Sequence, residues 1–218
     1  MNTTTRASFV NADQCHASTA KTPLLRSYGL VMPQATTKQP SFWDEHPNMH
    51  CQTIALEYRD AIAHESARLP VTPTLLTDAR AWLHDELAKV TNLGFWPVFT
   101  PDESLLSETI AAFNQPTNGE TIAIPITGLY NEDKHPVWTP LENLLFRFVH
   151  DYHHWTIGAD ATFLGERAVT RHILTPAVRQ NDALARFLAS EIIGQAATTI
   201  TSGSHPAQII ARNILDLI

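Results

Sequence analysis

Three histidines and an aspartate fall within five consecutive residues, His150-Asp151-Tyr152-His153-His154. On a helix, positions four apart share a face, so Glu142, Phe146, His150 and His154 form one row with His153 beside it. Two imidazoles one turn apart on a rigid helix reach a single metal ion, which is the physics of H-E-x-x-H zinc sites. Here Asp151 stands where those sites carry glutamate. Being one methylene shorter, it reaches a metal-bound water less readily, or binds the ion itself. Burying so many polar groups is costly unless something pairs with them. The competing reading is a solvated or hydrogen-bonded helix face.

A metal needs further donors. Glu191 sits among Phe187, Leu188, Ile192 and Ile193, and a carboxylate in such company is paired, protonated or metal-bound. The expected metal ligands are therefore His150, His154 and Glu191, with Glu166 next in order. Asp151, Glu166, His153 and His172 are the candidate catalytic groups, orienting ligands or moving protons. His172 lies six residues beyond Glu166, a turn of roughly 240° at 3.6 residues per turn, so the two should not face one point. For Glu191 the rival is a salt bridge to Arg147, Arg167 or Arg171. Imidazoles with a carboxylate favour Zn²⁺, and Fe or Mn suits the same donors. With an open coordination position, such an ion lowers the pKa of water to about 7, and Asp151 or Glu166 takes the proton. The expectation is a metal-dependent hydrolase of unspecified small-molecule or peptide substrate. A structural metal site with every position filled is its nearest rival. His46, His50 and Cys51 read as a helix start with incidental histidines, and His84-Asp85-Glu86 as a solvated face. No phosphate loop or nucleophile elbow is present.

The elements that must position these groups are helical. The stretch from Met49 through Ile54, Ala55, Tyr58 and Ile62 fits a helix ending before Pro70. Thr72-Pro73, Thr100-Pro101 and Thr139-Pro140 each read as N-cap and first helical residue, the last two with a glutamate completing a capping box. They open helices to about Val90, Phe113 and Ile157. Further helices are expected at Thr162–Leu174, from Asn181 or Asp182 to about Thr199, and from Gly203-Ser204-His205-Pro206 to Ile218. The one strand expected is Thr121–Ile126, limited by Pro125 to an edge or small ribbon. The fold class is mainly α, about seven helices in one domain over 42–218, with the candidate metal site in 139–200.

Composition bounds the function. The chain has 218 residues and 17% charged side chains, no long apolar run and a net charge of -7. Membrane spanning is not expected, and an acidic body argues against duplex nucleic acid as partner. Residues 1–41 differ: Arg6, Lys21, Arg26 and Lys38 face Asp13 alone. This Thr-, Ser-, Gln- and Pro-rich stretch reads as a flexible or partner-ordered arm, and Leu24-Leu25 with Tyr28-Leu30-Val31 could anchor it. Two cysteines, Cys15 and Cys51, and the absence of a secretory start fit a cytoplasmic monomer or dimer.

Two resemblances rest on these residues. Phe148-Val149-His150-Asp151, Gly165-Glu166, His172 and Glu191-Ile192-Ile193-Gly194-Gln195 resemble a poorly characterised helical domain carried by phages and plasmids. That resemblance covers about residues 140–200 and implies a mobile-element protein with an unassigned active site. His150-Asp151 with His154 also resembles the central motif of the all-helical HD-domain phosphohydrolases, in which a lone histidine, a His-Asp pair and a distant aspartate bind metal. It implies phosphoester hydrolysis, with His50, His64, His84 or His135 as the lone histidine and Asp182 or Asp216 as the last aspartate. Against all enzyme readings stands a non-catalytic interaction protein that uses the arm and has structural histidines.

Overall fold

A computed structural model of the chain describes residues 47–100, 106–115, 120–127 and 135–218. The segment read as an arm, with Cys15 and His46, lies outside the described residues, as do Pro101 to Leu105. The described residues form eight α-helices and a two-stranded sheet. Asn48 caps helix α1 (Met49–Ala63) by accepting from the Cys51 amide, and the helix buries Cys51, Ile54, Ala55, Tyr58 and Ala61 along one stripe. Thr72 caps α2 (Pro73–Asn92) in the same way, with Pro73 at the first position where no amide is needed.

Strand β1 (Phe95–Thr100), helix α3 (Leu106–Phe113) and strand β2 (Ile122–Thr127) follow, the strands parallel with Phe95 opposite Ile122. β2 is the strand read from sequence; β1 was not. Pro97 interrupts its apolar run, and in a two-stranded sheet both strands are edges, where proline is tolerated.

Helix α4 (Pro140–Ile157) starts from a capping box. Thr139 accepts from the Glu142 amide, the Glu142 carboxylate accepts from the Thr139 amide, and Gly158 ends the helix at φ 66°. One side of α4 meets the sheet layer: Phe113 stacks on Phe148 and on Trp155, and meets Phe95 edge-on. Phe146 packs between Trp82 and Trp138, and Trp138 reaches Phe187. Two aromatic clusters therefore fix this helix, and its histidine row is left to α5 (Phe163–Ile173). After the short α6 (Pro176–Gln180), α7 (Asp182–Ala189) and α8 (Gln195–Ser202) are joined by a π-helical turn, Ser190–Gly194.

The helix expected from Gly203–Pro206 to Ile218 does not form. The chain there runs beside residues 64–70, with Leu69 donating to the Ile210 carbonyl and Arg212 to that of Ala67. Only Ile214–Leu217 winds, as a 3-10 turn. The backbone donors are used across the molecule instead of along a helix.

Candidate metal centre

Helical periodicity places His150 and His154 on one face of α4, with ring centroids 4.6 Å apart and Phe146 stacked on the His150 ring. Gly158 then reverses the chain within a few residues, and Thr162 caps α5 by accepting from the Gly165 amide. The short reversal lays the first turn of α5 over the histidines. Glu166, in that turn, is 4% exposed.

Its carboxylate bridges both rings. Glu166 Oε2 lies 2.9 Å from His150 Nε2 and Oε1 lies 3.0 Å from His154 Nε2, while the two Nε2 atoms are 3.2 Å apart. Among the described residues these three form the group able to hold a metal ion.

The outer nitrogens sharpen the picture. His154 Nδ1 faces the Ala159 carbonyl at 3.3 Å, and His150 Nδ1 faces Asp151 Oδ1 at 3.3 Å. A neutral ring holds one proton: on Nε2 it is donated to Glu166, and on Nδ1 it is given to the Ala159 carbonyl or to Asp151, leaving the Nε2 lone pair turned inward. In the second tautomer two lone pairs and a carboxylate converge with no donor between them. A cation relieves that arrangement. Metal-bound histidines show the same outer pattern, the second N–H given to a carboxylate or backbone carbonyl. In the chain alone the cation is a proton. Burial opposes charge on His150, but Glu166 and Asp151 outweigh it and push the ring up to about 10. Burial likewise opposes charge on Glu166, and the two histidine rings hydrogen-bonded to it outweigh burial and hold it down at about 2.

The other expected residues fall elsewhere. Glu191, on the π-helical turn, is not gathered with His150 and His154; the carboxylate there is Glu166. Gln195 Nε2 donates to Glu191 Oε2 at 2.9 Å. His135 Nε2 lies 2.9 Å from the same oxygen, close enough for an ion pair but without hydrogen-bond alignment. Because His135 Nδ1 accepts from the Val137 and Trp138 amides, its proton sits on Nε2, the nitrogen facing Glu191. His153 is buried and turned to α2, with Nε2 3.5 Å from Glu86 Oε2. His172 is exposed and meets the His153 ring edge-on at 5.2 Å. The role of His135 toward Glu191 has no sequence signal, since it precedes a proline in an irregular segment and its partner is more than fifty residues away.

A cavity of about 270 Å³ opens beside the cluster, lined among others by His150, Glu166, Glu191, Gln195, Thr199 and Gln208. Small-molecule sites usually begin near 300 Å³, so this one suits a small ligand. The chain matches no protein-family model, no curated protein and no solved structure.

Proposed function

We propose that the protein is a mononuclear metal-dependent hydrolase acting on a small molecule, with His150, His154 and Glu166 as the metal ligands. One observation carries this: the two imidazole Nε2 atoms and the Glu166 carboxylate converge on one point while the outer nitrogens of both histidines face oxygen acceptors. A divalent ion held there supplies Lewis acidity and an activated water, and Zn²⁺ fits the donors. Asp151 fixes the His150 ring, and the Ala159 carbonyl fixes that of His154. Because His150 and Glu166 also line the cavity, a small substrate has access to the centre. This supports chemistry over a purely structural ion. We rank phosphoester hydrolysis of the HD kind lower, since the carboxylate joining the histidines is a glutamate from α5. Two histidines with one carboxylate are equally the donor set of iron(II) oxygen-activating enzymes, and this is the second reading.

Metal analysis of untagged protein tests the proposal. About one equivalent of transition metal per chain is expected, lost in His154→Ala and in Glu166→Ala. Zinc supports hydrolysis; iron, with oxygen consumption, supports the second reading. Wild-type protein that holds no metal after supplementation overturns both.

A further inference from the structure

The lining of the cavity beside the histidine row carries three buried oxygen atoms without a hydrogen-bond partner: Glu191 Oε1, Thr199 Oγ1 and Gln208 Oε1. Most buried side-chain polar atoms in folded proteins are paired, and each that is not costs stability. Three around one cavity are not accounted for by packing. Glu191 is the most telling. Its side chain is only 3% exposed, and its other oxygen is fixed by Gln195 with His135 beside it. Glu191 is therefore a lining residue whose carboxylate is held in place with one oxygen left unpaired. Thr199 is 2% exposed. Gln208 Oε1 can only accept, and the threonine hydroxyl can do either.

We propose that this wall is the substrate-recognition subsite, and that it selects a small molecule bearing N–H or O–H donors opposite the group that reaches the metal. Glu191 Oε1 takes the principal donor, Gln208 Oε1 a second, and Thr199 completes the set. His135 and Gln195 are positioning residues that hold the carboxylate in place. The inference rests on the metal reading for the reacting end of the molecule, and on Glu191 for the other end. An acceptor-built wall discriminates sharply, because a methylated analogue leaves buried acceptors unpaired.

The test is ligand-observed NMR on the full chain with a panel of small amides, amines and phenols. Each compound is paired with its N- or O-methylated counterpart. Wild-type protein should bind the best donor-bearing members at least about tenfold more tightly than their methylated partners. Thr199→Val and Glu191→Gln should each shrink that ratio. Exposed Leu164→Ala should leave it unchanged. Equal binding of the paired compounds, or no binding by either set, overturns the subsite. Metal content is measured on the same samples, which separates the two failures. Donor preference without metal spares the subsite and removes the metal centre, whereas metal without donor preference does the reverse.

Discussion

Gly165 is the residue that lets Glu166 reach the histidines. A Cβ at this position would run into the Asp160 carbonyl oxygen and the Asp160 carboxylate, in the turn that brings α5 over α4. A backbone oxygen does not swing aside as a side-chain tip does, so α5 itself must move. Gly165→Ala is expected to cost about 1–3 kcal/mol, the range for an overpacked site, and to lower metal content by parting Glu166 from the rings. Urea unfolding and metal analysis check both effects. A stable variant with full metal would show that the close approach does not matter. The histidine row was legible in sequence because i and i+4 share a face wherever a helix forms. The choice between Glu166 and Glu191 was not, since both carboxylates stand among apolar neighbours in helical segments. What decides it is which helix crosses the row, and that follows from the short reversal at Gly158.

At the scale of elements, α4 is held at its start by charge as well as by packing. The Glu142 carboxylate accepts from the Thr139 amide at 2.7 Å and from Arg80 of α2 at 2.8 Å. Burial opposes its charge, and these partners outweigh burial, so its pKa lies below the ordinary carboxylate value. The sign follows from linkage. A carboxylate depressed in the folded state contributes stability above its unfolded pKa, and loses that contribution as pH falls through the folded value. Glu142→Gln is expected to cost about 1 kcal/mol at about pH 7, in line with other helix caps. The gap from wild type should close as pH falls below the ordinary carboxylate value and through the lower folded one, where the carboxylate becomes protonated in both states. Parallel unfolding curves across that range would leave the capping box without an energetic role. This start was readable because Thr-Pro-x-Glu is a local signal needing nothing distant. So were the starts at Thr72 and Thr162. The segment after Gly203 was not. Its apolar spacing suits a helix, yet the chain finds backbone partners at Ala67 and Leu69, and no local pattern announces a partner so far away.

For the molecule as a whole, the question is how much of the fold a metal would hold. The two aromatic clusters around α4 involve none of the cluster residues except through the stack of Phe146 on His150. Their burial does not depend on an ion. A metal that binds only the native state adds about 2.7 kcal/mol when present at a hundred times its Kd. In a chain of this size that corresponds to about 5–10 °C in Tm. Stripping it with a chelator should lower Tm by that amount and leave the far-ultraviolet helix signal at 25 °C unchanged. Restoring one equivalent of Zn²⁺ should return it. Loss of the helix signal on chelation at 25 °C would make the ion a structural tie between α4 and α5. The open coordination position that hydrolysis requires would then lose its support. An unchanged Tm in wild type, with His154→Ala behaving the same, would mean that a proton and not a metal bridges the two imidazoles and Glu166.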